Sequence, residues 1–209
     1  MIPVNMDSAD LKIVGLNAHG AKSNLTFIKT LFETYHITFI SEHWLSNAEK
    51  MVIKDSLNDD HKLHFSTAEK QATGRPSGGN LFVVKKNYVG NTTVVHDDPH
   101  IFAIKTSDKL KPHLFIGVYL TCFHDTGSKE KYKEELDTLT GIIKSYMDEC
   151  KILLIGDFQT FPEIIYDTNV RNNVKRNPLS KLLSNFLRTN KLELFDVTHG
   201  TGPMQKMIK

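Results

Sequence analysis

Apolar and polar positions alternate along this chain in two rhythms, one of strands and one of helices. Residues 11–16 (Leu-Lys-Ile-Val-Gly-Leu) and 36–40 (His-Ile-Thr-Phe-Ile) are apolar runs of strand length. Between them Leu25, Phe27, Ile28, Leu31 and Phe32 recur at helical spacing, with Ser23 or Asn24 placed to cap the helix. A further short helix is expected over 48–57. From 61 to 121 the rhythm shortens to five extended runs, 62–66, 80–85, 92–96, 100–106 and 113–121. The runs are divided by turn-forming segments such as Gly74-Arg-Pro-Ser-Gly-Gly79 and Asp97-Asp-Pro99. Antiparallel pairing is the expected outcome. Residues 128–146 form the longest helical stretch, with Tyr132, Leu136, Leu139, Ile142, Ile143 and Tyr146 on one face. A strand ending at Asp157, a helix over 178–190 and a strand over 192–197 complete the pattern.

This order predicts a mixed α/β protein of two sheets packed face to face with helices outside. Five consecutive strands without helices argue against one doubly wound sheet. With 209 residues the chain suits a single domain, read here as 11–209 behind a short tail at 1–10.

Composition narrows the classes. A net charge of +2 gives no global attraction to nucleic acid, so such binding must come from a local face. The segment Arg171-Asn-Asn-Val-Lys175-Arg176-Asn-Pro178 is the candidate, and a solvated loop is the plain alternative. Cys122 and Cys150 lack metal-ligand spacing and, beside apolar strands, are expected to be buried thiols. No apolar run is long enough to span a membrane, and the polar, acidic N-terminus is unlike a signal peptide. The chain therefore reads as intracellular, in nucleus or cytoplasm, with no membrane partner.

The run Lys151-Ile-Leu-Leu-Ile-Gly-Asp157-Phe-Gln159 carries the first chemical signal. On an extended segment Asp157 and Gln159 share a side, while the Ile and Leu residues anchor the strand. A carboxylate and a carboxamide at a strand end suit a divalent cation and a polarised water. Asn17, Glu42 and Tyr119 also follow apolar runs, so all could reach one rim. Taken singly, each has a plainer reading: a turn asparagine, a solvated glutamate, a core tyrosine with its hydroxyl at the edge.

As an ordered set, Leu16-Asn17-Ala-His-Gly20, Ser41-Glu42-His-Trp44-Leu45, Gly117-Val-Tyr119-Leu and Ile155-Gly156-Asp157-Phe158-Gln159 resemble the endonuclease/exonuclease/phosphatase superfamily. That superfamily includes deoxyribonuclease I and the exonuclease-III-type abasic endonucleases. Within it the chain looks most like the endonuclease domain of non-LTR retrotransposons, through Glu42-His-Trp-Leu-Ser46, Gly74-Arg-Pro-Ser-Gly-Gly79-Asn-Leu-Phe-Val and the Asp125 loop before the long helix. The resemblance spans roughly residues 11 to 197. It implies a DNase I-like four-layer α/β sandwich, DNA as partner, and in the parent element a reverse transcriptase domain. It also implies Mg²⁺ or Mn²⁺ held by Glu42, Asn17 and Asp157. The catalytic roles it implies fall to four residues. Asn17 orients the metal-site carboxylate and the phosphate, and the Tyr119 hydroxyl approaches the phosphate. Asp157 positions or deprotonates the attacking water, and Gln159 stands in an amide position beside it.

Three departures accompany the resemblance. Gln159 occupies a position where the family has asparagine. The family's late Ser-Asp-His motif has no counterpart, and His199 does not match its histidine. His19 stands where abasic endonucleases carry a metal-binding acid, and His19, His43 and His124 are candidate substitute bases or plain loop histidines. The expectation is therefore a weak or inactive phosphodiesterase, truncated at its C-terminus, with one sheet missing closing strands and exposing unpaired edges. The alternatives are a non-catalytic nucleic-acid-binding remnant and a phosphatase of small phosphoesters on the same fold. A nucleotide-binding α/β module would need a glycine-rich phosphate loop, which does not follow the first strand.

Overall fold

The computed structural model describes residues 11–69, 74, 76–107, 112–163 and 177–195, together with the backbone of the strand Lys206–Ile208. The strands are β1 (Ile13–Asn17), β2 (Ile37–Ser41), β3 (His61–Phe65), β4 (Asn80–Lys85), β5 (Thr92–Asp97), β6 (Ile101–Thr106), β7 (His113–Tyr119), β8 (Lys151–Asp157), β9 (Leu194–Phe195) and β10 (Lys206–Ile208). The α-helices are α1 (Leu25–Thr34), α2 (Met51–Lys54), α3 (Lys86–Val89), α4 (Thr126–Tyr146) and α5 (Ser180–Thr189).

The strands form two sheets, one in the order β1-β2-β4-β3 and one in the order β5-β6-β7-β8-β10-β9. The expected run of antiparallel strands is divided between them: β3 pairs with β4 in the first, and β5, β6 and β7 pair in the second. Period-two alternation explains how each strand serves two layers. In β4, Leu81 and Val83 face a cluster with Ile28 and Phe32 of α1, while Phe82 and Val84 face the other sheet. In β7, Leu114, Ile116 and Val118 pack with Leu136, Leu139, Leu183 and Phe186 of α4 and α5. Phe115 points between the sheets with Phe39, Phe82, Phe102 and Ile155. The result is the four-layer helix–sheet–sheet–helix sandwich expected.

Several local expectations are corrected. Asn24 precedes α1 but makes no cap; its amide instead donates to the Ala18 carbonyl at 2.8 Å, so it braces the loop after β1. Asp125 is the effective cap, accepting the Ser128 N–H at 2.8 Å at the start of α4. Cys150 is buried as expected, but Cys122 is exposed. The edge of β8 is not bare: Lys206–Ile208 pair antiparallel with its residues 154–156. The basic segment 171–176 and His199 lie outside the described residues. Among the described residues no helix is long and apolar enough to cross a membrane.

Candidate functional site

The C-terminal ends of β1, β2, β7 and β8 meet at one edge of the sandwich. Parallel pairing sets Asn17 level with Ser41 and Tyr119 level with Asp157, so the four signature segments leave their strands together. Gly156 makes this possible. It adopts φ +140°, and a Cβ there would lie 2.0 Å from the Val118 carbonyl oxygen. Only glycine lets β8 stay paired with β7 up to the site.

Asn17 and Asp157 are held by the same device. The Asn17 Oδ1 accepts the N–H of His19 at 3.2 Å, and the Asp157 Oδ1 accepts the N–H of Gln159 at 3.0 Å. In each case the residue two positions on is left-handed, with φ 43° at His19 and 55° at Gln159. Such turns fix a side chain without a neighbour's help. The remaining atoms face each other, Asn17 Nδ2 donating to Asp157 Oδ2 at 3.4 Å. Gln159 has a left-handed rather than an extended backbone, so what ties it to Asp157 is the turn, through its N–H, and not strand alternation.

Glu42 reaches the same place from β2. Its segment is laced on both sides, with Gly20 N–H on the Glu42 carbonyl at 2.8 Å and Trp44 N–H on the Gly78 carbonyl at 3.1 Å. This is why Gly78 and Gly79, far away in sequence, belong to the site's frame. Glu42 and Trp44 have φ of 55° and 56°. Non-glycine residues in that region cost about 1–3 kcal/mol each and cluster where function constrains the backbone. Trp44 lies over Gly20, where a Cβ would fall 2.6 Å from its ring. The Glu42 carboxylate lies 3.2 Å from the exposed His19 Nδ1.

Tyr119 joins the two halves. Its phenol lies beside the Glu42 carboxylate and feels the charge of both Glu42 and Asp157. Burial first, then these carboxylates, push its phenol well above the ordinary range, so it is a proton donor throughout neutral pH. The Tyr119 backbone has its own support. Its carbonyl accepts His100 Nδ1–H at 2.9 Å, and the buried Glu135 lies 3.3 Å from the same nitrogen while accepting the Thr121 N–H at 2.8 Å. Glu135 was missed from sequence, though a charged residue three positions from Tyr132 on an apolar helix face was the signal.

Of the histidines offered as bases, only His19 touches the site. His43 is buried: Nδ1 accepts the Leu45 N–H at 3.0 Å, and Nε2–H donates to the Ser66 carbonyl at 2.9 Å. Burial lowers its pKa to about 4, so it is a neutral structural residue. His124 lies in the loop before α4, its N–H on Ser128 Oγ.

Among the described residues no three His, Cys, Asp or Glu side chains converge as a ready-made metal cage. The donors present are two carboxylates, an amide, a phenol and, beside Glu42, the His19 imidazole. The oxygen donors suit a divalent cation that keeps several waters and takes only one or two protein carboxylates.

No family model and no curated protein matches the sequence of this chain. Solved structures do match its shape. An AP endonuclease from Archaeoglobus fulgidus superposes with a TM-score of 0.68 at 12% identity, covering 95% of this chain and 86% of that one. The 3′ phosphatase NExo from Neisseria, solved with a product DNA hairpin, gives 0.67 at 13% identity, with coverage of 95% and 86%. The endonuclease domain of TRAS1, a telomere-specific non-LTR retrotransposon, gives 0.61 at 11% identity, with coverage of 94% and 83%. The chain has the DNase I-like endonuclease/exonuclease/phosphatase fold.

Proposed function

We propose that this chain is a divalent-metal-dependent phosphodiesterase acting on DNA, of the non-LTR retrotransposon endonuclease type, with slow turnover. The observation that carries the reading is the continuous set of interactions at one sandwich edge: Tyr119 with both Glu42 and Asp157 by charge, and Asp157 with Asn17 at 3.4 Å. It is supported by three solved structures of the same fold whose described roles are an AP endonuclease, a 3′ phosphatase with product DNA and a retrotransposon endonuclease domain.

Glu42, with Asn17 and Asp157 near it, would hold Mg²⁺ or Mn²⁺. The cation, when bound, supplies neutralisation of charge developing on a phosphoryl oxygen. The protein's own residues do the rest. Asn17, locked by His19 N–H, orients its amide toward the Asp157 side of the cleft. Tyr119 keeps its proton and can donate it as a hydrogen bond to a non-bridging phosphate oxygen. Asp157 Oδ1 is occupied by Gln159 N–H, which leaves Oδ2, with only the long Asn17 contact, to accept a proton from the attacking water. Slow turnover rests on Gln159, whose longer amide is displaced by about a carbon–carbon bond relative to an asparagine. A reverse transcriptase domain belongs to the parent element on this reading.

Nicking of supercoiled plasmid tests it. Slow nicking with Mg²⁺ or Mn²⁺, stopped by chelator and by Glu42→Ala, is expected. Nicking that persists in chelator or in Glu42→Ala would overturn it.

A further inference from the structure

The proposed metal site contains one donor unlike the rest. His19 Nδ1 lies 3.2 Å from Glu42 Oε2. Two adjacent ligands of one cation at bond lengths near 2.1 Å are separated by about 3.0 Å in an octahedron and about 3.4 Å in a tetrahedron. The observed spacing falls between the two. The imidazole is also free to serve, because its side chain is 70% exposed while the Glu42 side chain is 12% exposed. Its place is not left to chance: the His19 N–H is fixed on Asn17 Oδ1 at 3.2 Å, and Gly20 N–H is fixed on the Glu42 carbonyl at 2.8 Å. Both donors therefore sit on backbone segments tied to each other. Trp44, edge-on to the His19 ring at 6.1 Å, limits how far the imidazole can swing.

We infer that His19 and Glu42 act as a nitrogen–oxygen chelate, which makes the site select borderline transition cations such as Mn²⁺, Co²⁺ or Ni²⁺ over Mg²⁺. The inference rests on the metal-site reading above and deepens it. Mg²⁺ is a hard ion that favours oxygen and keeps its waters, whereas imidazole suits transition metals and affinity rises along the first-row series. The chelate leaves the other coordination positions to Asn17 and Asp157, to water and to a phosphate oxygen. The metal preference would then be set by residue 19, with Glu42 common to every cation.

The test uses tag-free full-length protein loaded with one equivalent of Mn²⁺ and read by pulsed electron paramagnetic resonance. Nitrogen modulation from a directly bound imidazole is expected in the unaltered protein and absent in His19→Asp. Asp tolerates the left-handed backbone at this position, and a circular dichroism spectrum checks that the variant is folded. Calorimetric titration should show the preference for Mn²⁺ over Mg²⁺ falling on the order of 10-fold or more in His19→Asp, since replacing even a group that only supports a ligand costs about 10–100-fold in affinity. Mn²⁺ binding that needs Glu42 but shows no nitrogen modulation would overturn the chelate while leaving the metal site standing. Mn²⁺ binding unaffected by Glu42→Ala would overturn both.

Discussion

Replacing Gln159 by Asn should make the protein both more stable and faster. Gln159 sits at φ 55°, and its N–H is held by Asp157 Oδ1 at 3.0 Å. A residue with an ordinary Cβ pays about 1–2 kcal/mol in that conformation, whereas Asn adopts it readily. Recovering about half of that penalty gives about 0.5–1 kcal/mol, which for a domain of this size is about 1–4 °C in Tm. The same change shortens the side chain by one methylene and draws the amide back by about 1.5 Å. Because a misplacement near 1 Å can cost about 100-fold, nicking should rise about 10–100-fold. Differential scanning fluorimetry and plasmid nicking read the two effects, with Gln159→Ala as the control that keeps the strain and removes the amide. If Gln159→Asn is no more stable than Gln159→Ala, the backbone turn that locks Asp157 is not what this reasoning takes it to be.

Other perturbations probe the frame and the core. Gly156→Ala drives a Cβ to 2.0 Å from the Val118 carbonyl and should cost at least about 3 kcal/mol in urea denaturation, with metal binding lost alongside; a variant of unchanged stability would show that β7 and β8 are not paired at the site. Thr38 is buried and its hydroxyl has no partner among the described residues, so Thr38→Val should stabilise the protein by about 1 kcal/mol, and a clear loss of stability would reveal a further hydrogen bond. Burial lowers His43 and His64 to about 4, so folding favours their neutral forms. The unfolded chain takes up those protons below about 6.5, so this stability is complete above that pH and is lost as pH falls toward 4. Between about pH 6.5 and 5 the loss through His43 alone should be about 2 kcal/mol, and a flat denaturation profile over that interval would refute its buried neutral state.

The layers were legible because alternation is a local property. Leu81/Val83 against Phe82/Val84 announces a strand packed on both faces, and Tyr132, Leu136, Leu139 and Ile143 announce the helix that covers it. The site was legible for the same reason, since Asn17, Glu42, Tyr119 and Asp157 each terminate an apolar run. What sequence could not supply was contact between remote segments and departure from regular backbone. His43, next to Glu42, looked like a loop residue, but the left-handed turns at Glu42 and Trp44 point it into the core, against Phe65. Gln159 is tied to Asp157 through its N–H in a left-handed turn, which strand alternation could not foretell. The β10–β8 pairing joins residues about 50 positions apart, for which no local pattern speaks.

The account stands on Glu42, Tyr119, Asp157 and Asn17 sharing one cation-sized space. A crystal structure of Mn²⁺-loaded protein, with the anomalous signal used to place the metal, tests this most directly. The predicted result is a single strong peak about 2.1–2.3 Å from a Glu42 carboxylate oxygen, on the side facing Tyr119 and Asp157. A peak bound elsewhere, or Glu42 and Asp157 carboxylates separated by more than about 12 Å, beyond the span of two coordination bonds and a bridging phosphate, would contradict it.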